Sequence, residues 1–156
     1  MGRFPIFQSP HLDEVERKMR PSGDYRHGFL GKDDRKLVQV LSEDEALVRS
    51  LSLTDGAIAR KLADLTAQAR KGLGGPVVVE GRFRVQVQEA RGKIACPWGH
   101  PGLYPKTHVE LTNLATGERL VWTDLAVHMI EAHGFYQGQG SPYRMEPSVL
   151  KRVLDL

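Results

Sequence analysis

The run Gly72-Leu73-Gly74-Gly75-Pro76 divides the chain into two kinds of pattern. Three glycines and a proline in so short a stretch stop any regular element that reaches them. Before the break, apolar residues recur at helical spacing: Ile58, Leu62, Leu65 and Ala69 form the stripe of a helix with one buried face. After it the period shortens to two. Phe83, Val85 and Val87 alternate with Arg82, Arg84, Gln86 and Gln88, the pattern of a half-buried strand. Helices and strands that are grouped rather than strictly alternating specify an α+β fold.

Residues 1–31 read as an irregular N-terminal arm, punctuated by Pro5, Pro10, Pro21, Gly23, Gly28 and Gly31, with one short helix from about His11 to Arg20. Residues 32–156 read as a single α+β domain. Asp33 or Asp34 is expected to start a helix through Leu37, Val38 and Leu41, although Val38 and Val40 also alternate like a strand. Ser42 and Glu45 have the spacing of a capping box, Thr54 is placed to cap the helix of the Ile58 stripe, and Gly72 to end it. Beyond the break, Val77–Val79 is β-branched. Arg91-Gly92 is expected to turn the Phe83 strand back into Lys93-Ile94-Ala95-Cys96, and Asn113 to Gly117 to join His108–Leu111 to Leu120–Trp122. The expectation is an antiparallel sheet of about four strands, in two hairpins, with helices on one face. Thr123-Asp124 opens a helix that runs to His133 and stops at Gly134, and Pro147 opens a last amphipathic helix.

The length, 156 residues, suits one domain with a real core. No stretch has the length of a membrane span, and the N-terminus lacks the apolar centre of a secretory signal. With one cysteine, Cys96, no intramolecular disulfide can form. These features point to the cytoplasm. The net charge of +3 is carried in clusters of mixed sign, such as Lys32-Asp33-Asp34-Arg35-Lys36, which fit a solvated surface better than a nucleic-acid stripe. Phe4, Ile6, Phe7 and Phe29 make the arm too apolar for a free tail. It is expected to pack on its own domain or, as a homo-oligomer, on a second copy.

Two short segments carry metal-ligand chemistry. In Cys96-Pro97-Trp98-Gly99-His100, a strand-end ligand is followed by a Pro/Gly turn and a second ligand. The segment resembles the Cys-Pro-x-Cys-Gly knuckle of zinc ribbons, with histidine, one position later, in place of the second cysteine. His128 and His133 end the helix before Gly134, at a spacing that zinc-finger helices also use. They lie about 140° apart around an ideal helix, so a distorted last turn is expected to bring them together. A thiolate and three imidazoles suit zinc rather than magnesium or calcium. His108 is a spare candidate ligand should His100 fail, and is otherwise an exposed strand residue. The competing interpretation is ordinary: Cys96 a buried thiol, His128 a core-edge histidine, His133 a cation at a helix C-terminus and His100 plain loop. Glu131 points away from the two helix histidines and no His-Glu-x-x-His is present, so a four-ligand site would be closed and structural.

The segment Gly134 to Arg144 is rich in glycine and aromatics. Tyr136, Tyr143 and Arg144 are its candidate ligand-pocket residues, although Phe135, Tyr136 and Tyr143 would serve equally well as packing. Leu53-Thr54 with Ile58, Ala59 and Leu62 has the outline of half a helix-turn-helix, but Ala63 to Lys71 continues the same helix where a turn is needed. The sequence therefore points first to a zinc-stabilised binding module of unassigned partner. A metal-dependent enzyme with an open coordination position comes next, and then a basic DNA-binding protein.

Overall fold

Ser9 accepts the N–H of Leu12, and Pro10 supplies a first helical residue with no N–H to satisfy, so helix α1 (Pro10–Met19) begins there. The computed structural model describes residues 7–21 and 28–156. Helix α2 (Leu37–Ser50) starts later than Asp33 or Asp34. Its cap comes from a distant part of the chain: the N–H of Leu37 donates to Glu16 (2.6 Å) and that of Val38 to Gln8 (2.8 Å). Asp33 is engaged elsewhere, accepting from the Arg35 guanidinium and from the N–H of Gln139. Ser42 lies inside α2, so the Ser42/Glu45 pair starts no helix. Leu37, Val40, Asp44 and Val48 are buried at helical spacing, which settles the ambiguity at Val38 and Val40. Helix α3 (Asp55–Arg70) is capped by Thr54 and buries Ile58, Leu62, Leu65 and Ala69. It runs unbroken past Leu62, so no recognition helix begins there. The left-handed residue after it is Leu73 (φ 51°) rather than Gly72.

Six strands follow: β1 (Val77–Val79), β2 (Phe83–Gln88), β3 (Lys93–Ala95), β4 (Leu103–Pro105), β5 (His108–Asn113) and β6 (Arg119–Thr123). Four of them form an antiparallel sheet in the order β1-β2-β5-β6. Phe83, Val85, Val87, Val109, Leu111 and Trp122 share a buried core with α3. The Trp122 indole N–H donates to Thr66 (2.8 Å), whose own hydroxyl donates to the Leu62 carbonyl (2.8 Å), so this wall is polar-satisfied as well as packed. Helix α5 (Pro147–Leu154) joins the same core, and the Asn113 carboxamide donates to its Val153 carbonyl (2.9 Å).

Strand β3 does not return alongside β2. The β2–β5 ladder runs from Phe83 opposite Asn113 to Gln88 opposite His108, and the hairpin resumes as β3–β4, from Lys93 opposite Pro105 to Ala95 opposite Leu103. Between the two ladders, Glu89 to Gly92 on one strand face only Lys106 and Thr107 on the other. Extra residues on one strand bend a hairpin, and β3–β4 leaves the sheet as a separate two-stranded arm. Its tip reaches helix α4 (Asp124–His133), which Thr123 caps through the N–H of Ala126.

A second core lies between α1, α2, α4 and that arm: Val15, Met19, Leu30, Leu37, Val40, Cys96, Leu125, Met129 and Phe135. Val15, Met19 and Leu30 come from the N-terminal 31 residues, which thus contribute buried side chains as expected. Phe29 packs against this core, Phe7 is 82% exposed, and Phe4 and Ile6 lie outside the described residues. Among the described residues no helix is long and apolar enough to cross a membrane.

The distant cap has a testable consequence. Burial raises the Glu16 carboxyl, but the Leu37 N–H, Gln8 and Arg20 outweigh it and hold the group below its ordinary 4.5. Burial also opposes ionisation of Asp33, and the Arg35 guanidinium with the N–H groups of Gln139 and Arg35 brings it from 3.8 down to about 2. Both groups are more acidic folded than unfolded. Their stabilisation is therefore complete above their unfolded values and is lost as pH falls through the folded ones, toward 2. Glu16→Ala should cost about 1–2 kcal/mol at neutral pH and remove part of the acid-side decline. Urea unfolding across that range measures both, and a variant as stable as its parent would contradict the cap.

Candidate metal centre

The knuckle occupies the tip of the β3–β4 arm. The N–H of Gly99 donates to the Cys96 carbonyl (2.9 Å), closing a turn with Pro97 in its second position. Gly99 takes φ 83°, a left-handed geometry that a side-chain-bearing residue adopts only under strain, and it folds His100 back toward Cys96. On the other side, α4 remains α-helical through His133. Gly134 (φ 63°) ends it, with its N–H donating to Ile130 (3.0 Å). The distorted last turn expected from the sequence is not needed, because the imidazole rings of His128 and His133 span the angular gap themselves.

The four side chains converge. Cys96 Sγ lies 3.6 Å from His133 Nε2, and His100 Nδ1 lies 3.1 Å from His128 Nε2. One ligand-type atom from each of Cys96, His100, His128 and His133 falls within 4.8 Å of the others, so the group could hold a metal ion. A tetrahedral zinc with one sulfur and three nitrogens sets S···N near 3.5 Å and N···N near 3.4 Å, roughly the two close separations seen here. Cys96 is buried, His128 and His133 are half-buried and His100 is exposed. His108, at the start of β5, is not part of the group, and Glu131 is exposed on α4.

Aromatic rings fix two of the histidines. Trp98 stacks on His133, with centroids 4.0 Å apart and planes 5° from parallel, and meets Phe135 edge-on. Tyr104, on β4, stacks against His128 at 5.0 Å. Neither ring was evident as part of the site from sequence. Trp98 stood inside the knuckle, but Tyr104 carries no signal beyond its position in a short strand. Burial, then the nearness of His100 and His128, pushes His133 down to about 4. Burial and His100 also lower His128, against the opposing pull of Glu131. Both imidazoles are thus neutral near pH 7, the form that ligates metal, and the carbonyl end of α4 favours a cation beside them.

Beside the cluster lies a cleft of about 830 Å³, with Cys96 and His100 in its wall. The three residues of the expected ligand pocket do not meet in it. Tyr143 lines it, while Tyr136 is 1% exposed and donates its hydroxyl to Asp55 (2.6 Å). Burial first, and then Asp55, hold the Tyr136 phenol well above its ordinary value. Arg144 is clamped on Asp44 by two bonds (2.6 and 2.8 Å) and on Glu146 (2.9 Å). From the same segment Gln137 and Pro142, which the sequence did not single out, also border the cleft.

Replacing Trp98 with alanine should cost about 1–3 kcal/mol through the lost stack and buried area. Trp98→Phe should recover part of it. Denaturant unfolding that finds the alanine variant unchanged would remove Trp98 from the site's support. Comparison with protein-family models, with curated proteins and with solved structures found no match for this chain.

Proposed function

We propose that Cys96, His100, His128 and His133 bind one zinc ion in a closed, structural site, and that the chain is a zinc-stabilised binding module. The observation that carries this reading is the convergence of four ligand-type atoms within 4.8 Å from two separate elements, a hairpin tip and a helix end. One thiolate and three imidazoles match the ligand preferences of zinc, and four protein ligands leave no open position. A metal here would tie the β3–β4 arm to α4, and its binding energy would be folding energy. A cysteine serving as a metal ligand, in a chain with no second cysteine, fits a reducing compartment such as the cytoplasm.

Protein purified without chelator should carry about one zinc per chain. Chelation should lower its unfolding midpoint, and cobalt substitution should give a tetrahedral spectrum with a thiolate charge-transfer band. Cys96→Ser and His133→Ala should each weaken metal binding by about 100-fold or more, whereas His108→Ala should leave it unchanged. Absence of stoichiometric metal, or equal loss in the His108 variant, would overturn the assignment.

The exposure of His100 favours one alternative, a metal-dependent enzyme in which three residues hold the ion and the fourth position faces the cleft. His100→Ala separates the two. Loss of metal affinity supports the closed site, and retention of tightly bound metal supports the open one.

A further inference from the structure

The cleft beside the metal centre contains a strained and underused polar residue. Gln137 is 4% exposed and sits at φ 73°, a left-handed conformation that costs any residue but glycine. The neighbourhood enforces it from both sides. Its carbonyl accepts from Arg144 (2.9 Å), which the buried Asp44 holds in place. The next N–H, that of Gly138, donates to the Phe29 carbonyl (2.9 Å), and a side chain at 138 would strike the backbone of Leu30.

The Gln137 carboxamide makes no hydrogen bond among the described residues, although the residue is almost wholly buried and borders the cleft. No buried side-chain polar atom there is both sealed from solvent and without a partner. The amide atoms of Gln137 therefore remain open to solvent, and the cleft is the space the residue borders. An amide that reaches solvent from an almost buried residue is satisfied by water, and a ligand in the cleft can take that place. The rest of the lining sets the chemistry. Phe29, Ile94 and Leu125 supply apolar walls, Lys18 and Lys106 border it with positive charge, and among the described residues no aspartate or glutamate lines the space. Ligand sites combine a mostly apolar wall with a few placed polar groups in this way.

We propose that this cleft binds a small organic carboxylate with an apolar body. The Gln137 carboxamide donates to the carboxylate, Lys18 supplies the attracting charge, and the body lies against Phe29, Ile94 and Leu125. The strain at Gln137 is then the means of presenting an amide to a ligand. This goes beyond the metal centre and requires no ion.

The test is a titration of the isotopically labelled protein, as purified, with benzoate, benzamide and acetate, followed by amide chemical shifts. Benzoate should perturb Ile94, Leu125 and Gln137, and should bind at least about tenfold more tightly than neutral benzamide or acetate, which lacks the apolar body. Gln137→Gly suits the left-handed backbone, so it should keep or raise the melting temperature while weakening benzoate about tenfold or more. The surface change Lys18→Ala should also weaken benzoate without affecting the fold. Three results would each overturn the proposal: no perturbation by benzoate up to about 10 mM, equal binding of benzoate and benzamide, or undiminished benzoate binding in Gln137→Gly. Binding that is lost in Cys96→Ser but kept in Gln137→Gly would put the anion on the metal and overturn it too.

Discussion

A two-stranded ladder of three residues per strand does not hold its place in water by its own hydrogen bonds. Strands β3 and β4 are such a ladder, and the bulged stretch at Glu89 to Gly92 swings them away from the main sheet. Their position is set at the tip, where Cys96 enters the second core, Trp98 covers His133 and His100 meets His128. That core also holds Val15 and Met19 of α1, Leu37 and Val40 of α2, and Leu125 and Met129 of α4. The arm closes one side of it, so the packing of the N-terminal helices depends in part on the junction between the tip and α4.

The same junction is electrostatically poor without a cation. Three imidazoles crowd one another in partly buried surroundings, and both burial and mutual repulsion drive the protons off His133 and His128. Neutral imidazoles with ligand-type nitrogens around a shared space, beside a thiol and the carbonyl end of a helix, form a group that could hold a metal ion. The cleft inherits this arrangement, since Cys96 and His100 form part of its wall. An ion that fixes the tip would fix that wall as well. The opposite wall is held differently, by the buried Asp44–Arg144 pair that grips the backbone at Gln137.

Much of the fold was legible because its signals are local. The Ile58 to Ala69 stripe, the Phe83 to Val87 alternation and the Thr123 and Gly134 caps depend on neighbours within a turn or two. The four members of the cysteine–histidine cluster were legible from residue type and position, because ligand-type side chains stand at a turn and at a helix end, and the structure brings those four together. What escaped was long-range. The partner of β3 could not be read because the bulge, rather than any alternation, decides it. The cap of α2 comes from Gln8 and Glu16, and Tyr136 satisfies its hydroxyl on Asp55 rather than on a ligand. A glutamine forced into a left-handed backbone has no sequence signature, so Gln137 was found only in the structure.

X-ray absorption at the zinc edge of the purified protein addresses the central claim most directly, because it reports the donor set without a crystal. The proposed site requires one sulfur at about 2.3 Å and three nitrogen donors at about 2.0–2.1 Å, with the imidazole scattering pattern. Cys96→Ser should abolish the sulfur shell. A spectrum with only oxygen and nitrogen donors, or a sulfur shell that survives in Cys96→Ser, would contradict the account.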